Sequence, residues 1–319
     1  GYVISVILVV VSVAAMGLAA LLLRGRDYAT QQRGGGGLGR RELTRRGLIL
    51  CWCFVVPVLF LVLAPHFGIL LLSLATIWSF SPLPDAFTLE HYGTVLRETP
   101  QFITNTLLYC GLAGLIDVVI GVTIAWLVLR TKLPGRKLLD MAAMSALAVP
   151  GLVLGIGILR TYFDVKLWDG ASLATSWIML TIVLAVRRLP YALRASTAAL
   201  QQVHRSLEEA AENMGAGKVT TLRRIVVPLM AGGLAAAFVT SFATAAVELS
   251  ATLVLATRDV DAPLSYGIYI YMQSAAGRGP GAALGVIAVP VVAVCTFAAH
   301  RFAERERSRR TRSSDPRAE

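Results

Sequence analysis

Two carboxylates stand inside long apolar runs of this 319-residue chain: Asp117 in "TLLYCGLAGLIDVVIGVTIAWLVL" and Glu248 in "SFATAAVELSATLVLA". An acid at membrane depth costs on the order of 2.5–3.5 kcal/mol, so both are expected to face the interior of a helix bundle. Two roles fit that chemistry. The acids, with Ser250 beside Glu248, could line a passage for a polar substrate, and an acidic pair would suit a cation. Alternatively each could hydrogen-bond between helices, at low cost if protonated. The four histidines (His66, His91, His204 and His300) do not cluster with acids or cysteines at ligand spacing, and His91 reads as a surface residue. Cys51, Cys53, Cys110 and Cys295 all fall in apolar stretches, where thiols pack as small hydrophobes. The pattern predicts no metal, no disulfide and no catalytic centre in the chain.

The other chemically dense stretch is "RSLEEAAENMGAGKVTTLRRIVVP", residues 205–228, which lies between apolar runs. Ser206 and Glu209 have the spacing of a capping box, which predicts a helix start, and Glu208, Glu209 and Glu212 suit the positive end of its dipole. Ala210 and Ala211 favour helix with little bulk, and Gly215 or Gly217 can end it in the left-handed conformation. A second short helix is expected to run to Pro228, where the next span begins. "GAGKVTT" is not a phosphate loop, because Glu212 and Val219 stand where that motif needs glycine and a hydroxyl residue.

The positioning elements are membrane helices. The chain is 56% hydrophobic and 15% charged, against about 45–50% and about 25% in soluble domains. Apolar runs long enough to span lie near 2–23, 48–78, 103–129, 139–160, 172–190, 229–256 and 282–300. The second contains Pro57 and Pro65 and reads as one kinked or tilted helix. Of the 30 basic residues, 25 fall in 24–47, 130–137, 187–224 and 301–317, and the other five (Arg97, Arg160, Lys166, Arg258, Arg278) in the alternate connections. That asymmetry predicts an outside amino terminus and a cytoplasmic carboxyl terminus, and it assigns the net charge of +11 to topology rather than to nucleic acid. Residues 24–47, with Gly34 to Gly37, read as a flexible cytoplasmic linker, and 306–319 as a basic cytoplasmic tail. Within the outer stretch "PDAFTLEHYGTVLRET", residues 84–99, a short helix capped by Thr88 is expected to lie at the interface. Gly151, Gly155 and Gly157 are expected to let another helix approach.

Glu209-Ala210-Ala211, three residues, Gly215, nine residues and Ile225-Val226-Val227-Pro228 resemble the E-A-A, x3, G, x9, I-x-L-P signature of permeases of bacterial ATP-binding-cassette (ABC) importers. Val227 replaces leucine, and the resemblance extends over 48–305, including "TLEHY", "NTLLY" and "PGLVLGIGIL". It implies an all-α integral membrane protein with the MetI-like ABC importer permease fold, a six-helix unit preceded by one extra transmembrane helix. It further implies that the loop over 204–228 is a coupling helix docked on a separate ATPase dimer, which holds the ATP and Mg. Glu208, Glu209, Ala210, Ala211 and Gly215 would carry docking, and Ile225 and Pro228 would fix the joint to the next span. The remaining expected partners are a second permease unit, an extracytoplasmic solute-binding protein and the lipid of a bacterial inner membrane.

Residues 1–23 resemble the last helix of an upstream unit, so the chain is expected to be the second half of a fused permease; the alternative is an extra helix on a single-unit permease. "ELSATLVLA" is similar to ferric-iron permeases, which implies ferric iron, with polyamine, thiamine, phosphonate and sugar phosphate as alternatives in the same branch. An ion-coupled secondary transporter would also place polar residues in apolar spans, but would have no use for the coupling loop.

Overall fold

A computed structural model describes residues 44–78, 81–274 and 278–313, together with positions 7, 10, 11 and 14, which are helical. The expected span over 2–23 and the linker up to residue 43 otherwise lie outside the described residues, as do the last six residues of the tail.

The described chain is helical, with two isolated β-bridges, Ala75 to Phe87 and Lys166 to Ser172. Helix α1 spans Arg45–Leu74 as one element despite Pro57 and Pro65, as the sequence predicts; Thr44 Oγ1 caps it by accepting from Gly47 N. Nearly all of its apolar side chains are exposed in the single chain, as befits a helix meeting lipid or other spans. The outer helix α2, Glu90–Glu98, starts two residues after Thr88, whose hydroxyl accepts from Glu90 N at 3.1 Å. Its His91 is half-buried: Nε2 lies 3.0 Å from the Ala75 carbonyl, and the ring fills the space that a side chain at residue 279 would need. His91 is thus partly covered by the helix that begins at Gly279 while keeping part of its surface exposed.

Helix α3, Gln101–Arg130, forms the centre with α6, Trp177–Gln201, and α9, Ala231–Ala246. Tyr109, Cys110 and Ala113 of α3 pack with Met179, Leu180, Val183 and Leu184 of α6 and with Phe242 and Ala245 of α9. Nearer the carboxyl end of α3, Val122 and Ala125 meet Leu193, Leu200, Val226 and Met230. The "NTLLY" stretch fastens the outer end of α3. Asn105 Nδ2 donates to the carbonyls of Val260 and Ala262 at 2.7 and 3.0 Å, and Thr106 Oγ1 accepts from Leu264 N at 2.7 Å, at the start of α11, Leu264–Gln273. The last helix, α12, runs Gly279–Ser313 and packs on α1, α9 and α11.

Three expected spans differ in the structure. The stretch 139–160 is two helices, α4 (Arg136–Ser145) and α5 (Gly151–Tyr162), separated at Pro150, which cannot donate to a helical ladder. The stretch 229–256 is α9 followed by a break at Val247 and the one-turn α10, Thr252–Leu255. The stretch 172–190 becomes α6, which continues to Gln201 through Pro190. Among the described residues, Arg45–Leu74, Gln101–Arg130 and Gly279–Ala299 are each long and apolar enough to cross a membrane, and a fourth candidate, Lys218–Leu229 with α9, is bent by 75°. Hydropathy registers composition, and composition does not reveal where a ladder breaks. Two of the three expected packing glycines behave as such: a Cβ at Gly151 would lie 2.7 Å from Ser250 Cβ and one at Gly155 3.1 Å from Val254 Cβ, whereas Gly157 has nothing within 4 Å.

Candidate coupling element and intramembrane ion cluster

The charged segment folds as two short helices after the carboxyl end of α6. Helix α7, Arg205–Asn213, is capped by His204, whose Nδ1 accepts from Ser206 N at 3.4 Å and lies 2.7 Å from Ser206 Oγ. The expected capping box is thus replaced. Ser206 is already helical, so its hydroxyl turns back to His204 and not forward to residue 209. Glycine does end the helix: Gly215 has φ +86°, Gly215 N donates to Glu212 O at 2.9 Å and Ala216 N to Ala211 O at 3.0 Å, a Schellman closure. Gly217, with φ −70°, plays no such part. Helix α8, Lys218–Leu229, follows, and its middle turn, Leu222–Val226, is π-helical. The wide turn sits just ahead of Pro228, whose ring would crowd the carbonyl of Arg224 in a regular helix. The 75° bend into α9 follows directly, so Pro228 closes the short helix pair, and the long helix starts at Ala231.

The candidate docking residues divide between two faces. Glu209, Ala210 and Gly215 are exposed, along with Met214 and Val219 at 81% and 78%. Ala211 is buried, Ile225 and Pro228 are half-buried, and Glu208 is turned inward. Arg130, the last residue of α3, reaches Glu208: Nε donates to Oε1 at 2.6 Å, while Nη2 donates to the carbonyls of Val203 and Leu200 at 2.8 and 3.2 Å. The positive-inside pattern treats Arg130 as one more cytoplasmic charge. Its position as the residue closing an apolar run was the signal that it could reach a neighbouring helix end. Beside this element, Ala195, Gln202, His204, Leu207, Pro228 and Gly233 are among the residues lining a cavity of about 710 Å³.

Glu248 occupies the break after α9. Its Oε2 accepts from Arg187 Nε at 3.3 Å and from Arg188 Nη2, and its Oε1 accepts from Ala251 N at 3.3 Å. Its carbonyl accepts from Thr252 Oγ1 and Ser265 Oγ, each at 2.9 Å. Arg187 Nη1 also donates at 3.0 Å to the carbonyl of Val149, freed by the break at Pro150. Ser250 and Gly151 pack against each other beside the carboxylate. Thirteen residues separate Arg188 from the carboxyl end of α6, about 20 Å at 1.5 Å per residue. These arginines are therefore not the solvated cytoplasmic charges that their count implied. Glu248 is thus matched by two guanidinium groups of α6, an interhelical arrangement, which is one of the two roles open to these acids. Asp117, fully buried on α3, accepts from Ser241 Oγ through Oδ2, while its Oδ1 has no partner. The apolar continuation "LPYAL" after Arg188 was the signal that the helix runs on past the arginines. No group of three or more His, Cys, Asp or Glu residues among those described could hold a metal.

Buried charges lie at the centre of this bundle of apolar helices, which is joined to a short charged helix pair. Residues 117–308 match the family model described as "Binding-protein-dependent transport system inner membrane component", and the chain belongs to that family. It is 32% identical over 185 residues to the ferric transport system permease protein FbpB of Actinobacillus pleuropneumoniae, covering 56% of this chain and 26% of that protein. It is 34% identical over 178 residues to the putative ferric transport system permease protein FbpB 1 of Haemophilus influenzae, covering 54% of this chain and 27% of that protein. The chain thus spans about a quarter of the length of these ferric relatives. It is 28% identical over 218 residues to the molybdenum transport system permease protein ModB of Escherichia coli, covering 66% of this chain and 95% of that protein. In fold it resembles a bacterial ABC transporter involved in alginate import, with TM-score 0.62 and 17% identity over 81% of this chain and 95% of that one. It also resembles the MetNI methionine ABC transporter, with TM-score 0.55 and 19% identity over 69% and 99%. The MetI-like all-α permease fold expected from the sequence is the fold present.

Proposed function

We propose that this chain is the transmembrane subunit of an ATP-driven importer in a bacterial inner membrane, with its carboxyl terminus in the cytoplasm. It forms part of the passage and takes its drive from a separate ATPase dimer, which carries the ATP and Mg. The observation that carries this reading is the α7–α8 pair: a capped, glycine-terminated helix with Glu209, Ala210 and Met214 exposed, leading through the Pro228 joint into a membrane helix. A docked ATPase would contact Glu209, Ala210 and the Gly215 turn. Ala211 supports that surface from beneath, and Ile225 and Pro228 transmit its displacement to α9. A second permease unit, fused or separate, completes the passage, and an extracytoplasmic binding protein delivers the cargo.

Ferric iron is the cargo that the two FbpB relatives favour. A second reading, an oxyanion, has a specific observation behind it: Arg187 and Arg188 outnumber Glu248 at mid-span, and a molybdenum permease is among the relatives. Asp117, Glu248 and Ser250 then act as fixed polar groups of the passage wall and not as cation ligands. The test is gentle extraction of the chain from its native membrane and mass spectrometry of what accompanies it. An ATPase and a binding protein are expected, and the ligand of that binding protein decides between iron and an oxyanion. Repeated absence of any ATPase refutes the importer reading in favour of an ion-coupled transporter.

A further inference from the structure

We infer that Arg130 is a positioning residue for coupling: it ties the α3 span to the coupling helix, so that displacement of α7 by the ATPase moves α3 with it. This inference rests on the importer reading above. Three helices end at this guanidinium. Arg130 is the last residue of α3; Leu200 lies in the last turn of α6 and Val203 two residues beyond its end at Gln201; Glu208 lies in the first turn of α7. A cation suits the first two ends and an anion the third, so the Arg130–Glu208 pair complements the helix dipoles as well as its own charges. Both side chains are well shielded, at 13% and 12% exposure, which spares the pair most of the screening that weakens surface ion pairs. A planar guanidinium can address the Glu208 carboxylate through Nε and the α6 carbonyls through Nη2 at once, which a lysine ammonium cannot do with fixed geometry.

The tie also gives the neighbouring glutamates different work. Glu209 is exposed at the docking surface, while Glu208 points back into the membrane protein. Force applied at the surface thus has a charge-assisted route into α3, in addition to the covalent route through Pro228 into α9. Helix α3 carries Asp117 on its buried face, thirteen residues and about 20 Å from Arg130.

The test uses the chain extracted with its ATPase, reconstituted in lipid nanodiscs, in a background without the four native cysteines. Spin labels are placed through Val119→Cys on the exposed face of α3 and Glu212→Cys on α7, and their separation is measured by pulsed electron resonance without nucleotide and with ATP plus vanadate. In the parent the separation is expected to stay the same in the two states, because α3 and α7 move together. With Arg130→Gln, or with Glu208→Ala, a second and shifted separation is expected to appear under ATP plus vanadate while the ATPase stays bound. Glu208→Ala leaves both α6 carbonyl bonds of Arg130 in place, so it reads the tie even where Arg130→Gln lowers abundance. A parent separation that changes with nucleotide, or variants that keep one unchanged separation in both states, overturns the inference. A parent preparation that never contains an ATPase overturns the importer reading itself and removes the inference with it, before any variant is made.

Discussion

The charge cluster at mid-span predicts an ordering of stabilities that simple loss of contacts would not. Glu248→Gln removes the carboxylate and leaves two guanidinium groups, 15% and 12% exposed, facing a neutral amide. Breaking a buried pair by removing one partner costs about 3–5 kcal/mol, roughly two to three and a half powers of ten in the folding equilibrium. Arg188→Leu is milder, because Arg187 still pairs with Glu248 and still holds the Val149 carbonyl. The informative protein is the double variant Arg188→Leu/Glu248→Gln, in which one buried cation remains where Glu248→Gln alone has two. It is expected to be more stable than Glu248→Gln, with a favourable interaction of about 0.5–3 kcal/mol between the substitutions. Thermal unfolding of each variant in the same detergent micelle, followed by circular dichroism, measures the order, and the amount inserted in the membrane checks it in the cell. If the double variant is as unstable as the sum of the single variants, or if Glu248→Gln unfolds with the parent, the cluster is not held together by charge.

Three further outcomes follow from the same geometry. Gly215→Asp places a side chain at φ +86°, at a cost of about 1–2 kcal/mol; it is expected to loosen the α7–α8 turn and abolish transport while membrane insertion stays normal, as checked by uptake in cells against immunoblot abundance. Glu209→Lys reverses an exposed charge with no change in burial, so it is expected to reduce the ATPase recovered on co-purification and to leave thermal stability within about 0.5 kcal/mol of the parent. Gly151→Ala puts a methyl group 2.7 Å from Ser250 Cβ and is expected to cost about 1–3 kcal/mol, whereas Gly157→Ala, which meets nothing within 4 Å, is expected to be neutral or slightly stabilising; parallel melts of the two variants compare them.

The charged segment over 205–228 was legible because it is local. Alanine, glycine and proline at positions 210, 211, 215 and 228 each restrict backbone geometry within a turn or two, and the turn at Gly215 forms where the glycine stands. The helix starts two residues before the place the capping box predicts, with His204 and not Ser206 as its cap, because two capping schemes compete over 204–209 and a histidine ring can accept from the same early amides as a serine hydroxyl. The long-range contacts were hidden for a different reason. Charge counting assigns a side to a residue but not a partner, so Arg130, Arg187 and Arg188 looked like loop charges until the bundle brought Glu208 and Glu248 to them. Those partners are separated from the arginines by 60 or more residues, and no local pattern encodes that pairing.

The same arginines explain why broken helices are tolerated inside a membrane protein. A break frees carbonyl and amide groups, and in lipid each unsatisfied group costs several kcal/mol. At the α4–α5 break the Val149 carbonyl is met by Arg187; at the α9–α10 break the Ala251 amide is met by Glu248, which Arg187 and Arg188 hold in place. Both discontinuities are thus satisfied from one turn of α6, and Arg130 engages the carboxyl end of that same helix about 20 Å away. Helix α6 therefore contacts both breaks and, through Arg130, the start of α7. A shift along its axis would alter all three together, whereas a shift of α1, which packs on α2 and α12, would alter none of them directly.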